Sequence, residues 1–290
     1  MLKKVKKVIF PVGGLGTRFL PATKSIPKEM LPVASKPLIQ YAFEEAVKAG
    51  IEQFIFVTGR NKNAINNHFD YSYELQDQLS RNDKRIELEL TTDWVPAPGK
   101  IVFLRQQKPL GLGHAVMCAK DIVGDEPCAI ILADEMLKCP EGFLKRMVDY
   151  YNIHGGNIIG VSKVEKEDTS KYGIIVPEYK GGDIVIKGMV EKPAPEDSPS
   201  DLSIVGRYIL QPEIFDILSE TPHGRNNEIQ LTDAMQKMIS TDKFYALQFE
   251  GERFDCGSQE GFLEANIAYS LDNKSIAKEV RKFLGKYVGA

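Results

Sequence analysis

Few cysteines, few histidines and a nearly balanced charge exclude several ways of working before any motif is read. Cys118, Cys128, Cys139 and Cys256 are the four cysteines in 290 residues. Their scatter suits neither a zinc ribbon nor a C-x-x-C redox pair, so reduced thiols in a cytoplasmic protein are expected. His68, His114, His154 and His223 show no metal-ligand spacing. A net charge of -3 leaves no broad basic face of the kind general nucleic-acid binding needs. After the basic MLKKVKK the apolar run lasts only about five residues before Pro11 and glycine, too short for a signal-peptide core or a membrane span. The single tryptophan, Trp94, lies in the turn-like DWVPAPGK and is expected to pack rather than to act. No internal repeat is visible, and no linker is long enough to force a second domain. With 43% hydrophobic residues the chain can bury a substantial core.

Positive charge is concentrated where glycine is. The first thirty residues hold seven Lys or Arg against the single Glu29. Lys3, Lys4, Lys6 and Lys7 read as solvated ends of a first strand. Val8 to Val12 is a short apolar run that ends in Gly13-Gly14-Leu15-Gly16, and Arg18, Lys24 and Lys28 follow within a loop's length. Bare backbone N–H groups and full cations together suit a polyphosphate. Gly14-Leu15-Gly16-Thr17-Arg18 runs on to Phe19 rather than to a third glycine, and Pro21, Pro27, Pro32 and Pro37 forbid a long helix, which argues against a dinucleotide cofactor. No Walker A loop, G-x-x-x-x-G-K-[ST], occurs. On the residues alone the glycine turn is as consistent with a plain strand-to-loop corner.

The rest of the chain alternates strand and helix patterns, an α/β class. Pro37 opens a helix with Ile39, Phe43, Ala46 and Val47 on one face and Gly50 as its C-terminal cap. IEQFIFVT (51–58) and IVFLRQ (101–106) read as strands, YSYELQDQLSRN as a helix in an otherwise polar region, and Gly111 to Val123 as one helix. PCAIILADEM (127–136) is a continuous apolar run, the pattern of a buried parallel strand that delivers Asp134 to a ligand edge. A hard cation such as Mg²⁺ wants one or two carboxylates of this kind, although helix capping is the other reading. NIIGVSKV, YGIIVPEY, GGDIVIKGMVEKP and SIVGRYIL are strands, and APEDSPSD reads as mobile surface. Glu191 and Lys192 should face opposite ways unless the strand ends there. PEIFDILSE and NEIQLTDAMQKMI are helices, the second with Ile229, Ala234 and Met238 inward. FYALQFEGERFDCGS brings Asp255 as a second Mg²⁺ candidate. From Ser258 the chain is helical, with Phe262, Leu263, Ile267 and Leu271, then Ile276, Val280, Phe283 and Leu284, as apolar faces.

The segment GGLGTRFLPATKSIPKEMLPVASKPLIQYAFEEA resembles the signature of the sugar-1-phosphate nucleotidylyltransferases. RQQKPLGLGHAV, ILADE, KYGIIV, MVEKP, VGRYIL, NNEIQLTDAM and RFDCGS follow in the family's order over nearly the whole chain. The resemblance implies a Rossmann-like, mixed and mostly parallel sheet flanked by helices, with residues 1–257 catalytic and 258–290 a helical subunit contact of a homodimer or homotetramer. It implies UTP and glucose 1-phosphate as substrates, with dTTP or another hexose phosphate as the near alternative, a non-catalytic nucleotide-sugar binder as the remote one, and Mg²⁺ as cofactor. Gly13, Gly14, Gly16 and Thr17 would line the nucleotide, and Arg18 and Lys28 its phosphates. Gln106 and the backbone of Gly111 would read the base, since an amide can match the O4 or O2 and N3–H edge of uracil; by residue type alone Gln106 is a solvent-facing loop residue. Gly173 would approach the hexose, Glu191 its hydroxyls and Lys192 its phosphate, where the bare sequence allows an exposed strand end, and Gly206 would be a further substrate-binding residue. Asp134 and Asp255 would hold the metal. Glu135 departs from the family pattern of Asp or an aliphatic residue, and Glu228, Gln230 and Asp233 fall on a family marker without a role that spacing can assign. No Ser-His-Asp set is present, and none is needed if the sugar phosphate is the nucleophile.

Overall fold

The computed structural model describes residues 2–224 and 227–289. β1 (Lys7–Val12) lies inside the parallel half of the main sheet. Its Val8, Phe10 and Val12 enter the core on one face and Ile9 on the other. Such alternation with both faces apolar is what a parallel strand under two helical layers requires. β2 (Pro32–Val33) and β3 (Lys36–Pro37) form a small pair apart from it. β4 (Gln53–Thr58) repeats the pattern, with Phe54 and Phe56 beside Phe10 and with Ile55 and Val57 beside Ile9. The Phe10 and Phe56 rings stack 4.7 Å apart, each fully buried. Burial of one such side chain stabilises by about 1.5–3 kcal/mol.

The later strands are β5 (Ile101–Arg105), β6 (Cys128–Ile131), β7 (Glu135–Lys138), β8 (Asn157–Lys163), β9 (Gly173–Lys180), β10 (Asp183–Glu191), β11 (Leu202–Leu210), β12 (Phe244–Gln248) and β13 (Glu252–Asp255). The main sheet has the order β5-β4-β1-β6-β11-β8-β12-β10-β9. β5, β4, β1, β6, β8 and β12 share one direction, and β11 runs against its neighbours β6 and β8. The β9–β10 hairpin closes the far edge, and Ile174 of β9 turns back to pair with Ser203 of β11. β7 and β13 form a separate ribbon. The mixed, mostly parallel α/β sheet expected from sequence is the one observed.

The helices are α1 (Leu38–Lys48), α2 (Asn63–His68), α3 (Tyr73–Arg81), α4 (Arg85–Thr92), α5 (Leu112–Met117), α6 (Lys120–Val123), α7 (Phe143–His154), α8 (Ile214–Glu220), α9 (Leu231–Met238), α10 (Gln259–Asp272) and α11 (Ala277–Val288). α1 and α7 cover the face of Phe10; α5, α8 and α9 cover that of Ile9. Buried Arg207 on β11 donates to both oxygens of Glu45 on α1, and Glu45 also accepts from the Leu144 amide of α7. Removing one partner of such a buried pair typically costs about 3–5 kcal/mol.

Several elements differ from the sequence pattern. Val47 is 49% exposed, because α1 buries Leu38, Ile39, Ala42, Phe43 and Ala46 instead; Gly50 does follow its end, with φ 80°. The helix expected over 111–123 breaks at Cys118 and Ala119 into α5 and α6. The apolar run at 127–136 leaves the main sheet after Ile131, turns, and resumes as β7 in the ribbon. α9 begins only at Leu231, so buried Ile229 lies in the extended approach to it, while Asn226 of that motif lies outside the described residues. The loop 194–201 is tied down, Ser200 Oγ donating to Ile175 O at 2.7 Å. The polar region adds α4, whose periodicity is weak, and Trp94 packs against Phe43, His68 and Phe69. α10, capped by Ser258 Oγ, contributes Ala265, Phe262 and Tyr269 to a cluster with Met136 and Phe254 of the ribbon, whereas Leu263 is 61% exposed.

Candidate active site

At the carboxyl end of β1 the chain enters Gly13–Gly16, and Gly16 takes φ 66° before a short 3-10 turn over Thr17–Phe19. The third such turn, Lys28–Met30, sends neighbouring side chains opposite ways. Glu29 points inward to an ion pair with Lys62 at 2.8 Å, both almost fully buried. Lys28 points out under the glycine loop, where its Nζ pairs with Asp134 Oδ2. Asp134 sits in the turn between β6 and β7, its side chain 24% exposed. Burial opposes charge on both groups, yet each favours the other's ion strongly enough to win. Asp134 is held below the usual carboxylate range, and Lys28 is held above the usual ammonium range.

A second carboxylate meets the first. Cys256 N donates to Asp134 O at 2.8 Å, which brings the end of β13 beside the β6–β7 turn. Gly257 N donates to Asp255 Oδ1 at 3.0 Å, and Arg18 Nη1 donates to Gly257 O at 3.2 Å. A Cβ built on Gly257 would lie 2.9 Å from Asp255 Oδ1, 3.2 Å from Asp134 Oδ2 and 3.4 Å from Arg18 Nη1, so two carboxylates and a guanidinium border one small space. Among the described residues no three His, Cys, Asp or Glu side chains enclose a metal. Two carboxylates beside phosphate donors are nevertheless the protein share that an octahedral Mg²⁺ ordinarily uses.

Gln106 follows β5, its side chain wedged between the two glycine loops and buried (8% exposed). Its Oε1 lies 2.9 Å from where a Cβ on Gly13 would be, so Gly13 leaves it room. Its Nε2 donates to Gly111 O at 3.0 Å and lies 3.0 Å from His114 Nδ1. With His114 accepting through Nδ1, both amide donors are engaged and Oε1 stays on the Gly13 side. Gly111, with φ 95°, rests on the segment before α9: Ile229 N donates to Leu110 O at 2.8 Å, and Gly113 N to Ile229 O at 2.9 Å.

On the other side, β10 ends at Glu191 and Lys192 takes φ 49° with its N–H donating to Tyr172 O. This left-handed step lets both Glu191 and Lys192 line one cavity, which a continuing strand would forbid. Glu191 Oε2 accepts from Thr232 Oγ1 at 2.8 Å and would stand 3.3 Å from a Cβ on Gly173. Gly206 lies in the irregular stretch of β11 at φ 63°, where a Cβ would press on Leu132 Cβ at 2.9 Å. These residues line a hollow of ≈ 270 Å³. It joins through Leu112, Leu132 and Glu228 to a cavity of ≈ 440 Å³ under the glycine loop. Through Tyr172, Glu191 and Lys192 it joins a wider one of ≈ 820 Å³ bounded by Arg18, Arg253 and Asp255. A separate hollow of ≈ 300 Å³ lies behind Glu135, walled by Glu45 and Arg207, and holds none of the loop cations.

A cleft of adjoining hollows with shared walls thus carries a glycine loop with cations at one end and a polar hollow at the other. A family model described as nucleotidyl transferase matches residues 6–271. The chain belongs to the nucleotidyl transferase family. This transferase is 45% identical over 284 residues, 98% of each chain, to a UTP--glucose-1-phosphate uridylyltransferase of Staphylococcus epidermidis. Its fold matches a UTP-bound UGPase from Acinetobacter baumannii with TM-score 0.89 at 42% identity, covering 97% of this chain and 98% of that one. It also matches a UDP-glucose pyrophosphorylase complexed with UDP-glucose, with TM-score 0.83 at 46% identity, covering 91% of this chain and 98% of that one.

Every residue expected from sequence to touch substrate or metal lines this cleft, with Arg18 exposed at its rim, whereas Lys24 and Asp233 are outside its lining. Sequence reasoning left out Arg253, Tyr172, Thr232 and His114. Arg253 donates to both oxygens of Glu135 at 2.9 and 3.0 Å and to Ser203 Oγ at 2.8 Å, with its guanidinium 4.2 Å from the Tyr172 ring. Glu135 is therefore occupied by Arg253. The signal was present: Arg253 stands two residues before Asp255 on one strand, hence on the same face. His114 carried no such signal, because its partner is a loop amide eight residues away.

Proposed function

We propose that the chain joins UTP to α-D-glucose 1-phosphate, giving UDP-glucose and pyrophosphate. The observation that carries the reading is the single cleft in which the glycine loop, Lys28 and Asp134 face the Gly173, Glu191 and Lys192 hollow. The substrate names come from relatives 45% identical over nearly the whole chain. In this reading the base lies between Gly13 and Gly111 with Oε1 of Gln106 accepting its N3–H. The triphosphate runs past Gly14, Gly16 and Thr17 toward Arg18 and Lys28. The hexose fills the hollow beside Gly173 and Gly206, with Glu191 accepting from its hydroxyls and Lys192 holding its phosphate.

A phosphate oxygen of the sugar phosphate attacks the α-phosphorus, a new P–O bond forms, and the bond to the β-phosphate breaks in line with it. The enzyme supplies no nucleophile; it supplies alignment and charge. Arg18 and Lys28 stabilise charge that gathers on the departing pyrophosphate, and Lys192 restrains the attacking group. Asp134 and Asp255 would hold Mg²⁺, which when bound would supply positive charge against the phosphates. The ionised state of Asp134 fits that task. Exposed Leu263 and Phe283 of α10 and α11 support a homodimeric or homotetrameric contact, which a monomer in sedimentation at micromolar concentration would refute. Four unpaired thiols support a cytoplasmic setting; among the described residues no helix is long and apolar enough to cross a membrane. Pyrophosphate release, followed with each nucleoside triphosphate and each sugar phosphate in turn, tests the function: efficient use of UTP with glucose 1-phosphate is expected, and preference for dTTP or another hexose phosphate would overturn it.

A further inference from the structure

We infer that His114 is a specificity-determining positioning residue: it fixes which end of the Gln106 amide faces the nucleobase, and so lets the site tell uracil from cytosine. The inference rests on the reading that Gln106 meets the base. An amide side chain has a donor end and an acceptor end of nearly equal size, so its chemistry toward a ligand depends on what holds its other end. Here Nε2 donates to the Gly111 carbonyl and lies equally close to His114 Nδ1, each at 3.0 Å, and the neutral ring with its hydrogen on Nε2 makes Nδ1 the second acceptor. Oε1 is left on the Gly13 side, in the wall of the nucleotide cavity.

Uracil carries a hydrogen on N3 and needs an acceptor opposite it. Cytosine N3 is a bare lone pair and would be repelled by the same oxygen. If the amide turned over, its NH₂ would face the base and the preference would invert. Turning costs two hydrogen bonds while His114 is neutral and accepts through Nδ1, and it sets Oε1 against two lone pairs. Without the imidazole only the Gly111 carbonyl opposes it. The side chain of Gln106 is buried, so water does not readily replace the lost partner. His114 does not itself line the nucleotide cavity, which is why its effect passes through Gln106. α5 sets the distance: His114 stands on its first turn, where Gly111 begins the helix and Gly113 packs against Ile229.

The experiment compares kcat/KM for UTP and CTP in the full-length protein and in four variants, each checked for a native melting transition. His114→Phe keeps a ring and removes the acceptor; the ratio of UTP to CTP use is expected to fall about 2- to 12-fold, the value of one net hydrogen bond. His114→Asn, whose side-chain oxygen stands close to the place of Nδ1, should keep most of the ratio. A role limited to packing would make these two variants behave alike. Should the Phe variant fail to fold, His114→Leu gives the same comparison. Gln106→Leu tests the underlying reading separately. If Gln106→Leu loses discrimination while His114→Phe or His114→Leu keeps it in full, the base is read by Gln106 and the positioning role of His114 is overturned. If Gln106→Leu keeps discrimination, the base is read elsewhere and both fall.

Discussion

Asp134 is paired with Lys28 and stands near Asp255, and in the proposed reaction it would also ligate a cation. Asp134→Asn preserves shape and the main-chain bond to Cys256 but removes the charge that Lys28 and a metal both need. Turnover is expected to fall by about 10²-fold or more, with a melting temperature close to that of the parent; near-normal rates in limiting Mg²⁺ would show that Asp134 is not the main ligand. The two lysines should fail differently. Lys28 lies under the glycine loop, and Lys192 lies beyond Glu191 on the side of the proposed hexose. Lys192→Ala should weaken glucose 1-phosphate binding and slow attack while UTP binding to the free enzyme is retained, whereas Lys28→Ala should impair UTP use. Calorimetric titration with UTP decides, since an equal loss of affinity in both variants would collapse the two subsites into one. At this scale residue type was a fair guide where charge and glycine carry the meaning, as at Lys28, Asp134 and Gly16. It was a poor one at Gln106, whose donors are consumed by neighbours that no spacing rule connects to it.

Among the elements, those with clean periodicity were legible and those shaped by a partner were not. β1 and β4 are apolar at successive positions because helices cover both faces, and those short apolar runs are written in the chain itself. The run is apolar without a break from Pro127 to Ala133, so nothing local shows that it leaves the main sheet after Ile131; pairing with β13, more than a hundred residues later, decides it. α9 starts late for a similar reason: Ile229 gives its N–H to Leu110 and its carbonyl to Gly113, bonds a helix would have claimed. α2 offers a test of how burial at an element's end shows in solution. His68 closes it, half-buried against Trp94 and bonded to Gln40, and burial holds its pKa below the ordinary 6.5. The fold therefore binds the neutral ring better than the unfolded chain does. That stabilisation is complete above the unfolded pKa and is lost as pH falls through the folded one. In thermal melts between about pH 7.5 and 5, the parent should lose more stability on acidification than His68→Phe. Parallel loss in both would show that His68 is not the titrating group.

For the whole molecule, the two halves of the cleft come from opposite regions of the sheet, β1, β5 and β6 on one side and β9 and β10 on the other. The sequence announced both halves but not what joins them. The short segment from Glu228 to Thr232 does so. Glu228 and Ile229 brace Gly111 beside the proposed base, and Thr232 hydrogen-bonds Glu191 beside the proposed hexose. A segment that forms part of both walls is a shared contact through which the two proposed sites can influence each other. Binding of the two substrates should therefore be thermodynamically linked, and the linkage must be reciprocal: the factor by which a non-hydrolysable UTP analogue changes affinity for glucose 1-phosphate equals the factor in the other direction. Titrating each ligand with and without the other measures it. Thr232→Val, which deletes the bond to Glu191, should bring that factor toward one, and an unchanged factor would show that the two ends of the cleft do not communicate through this strip of chain.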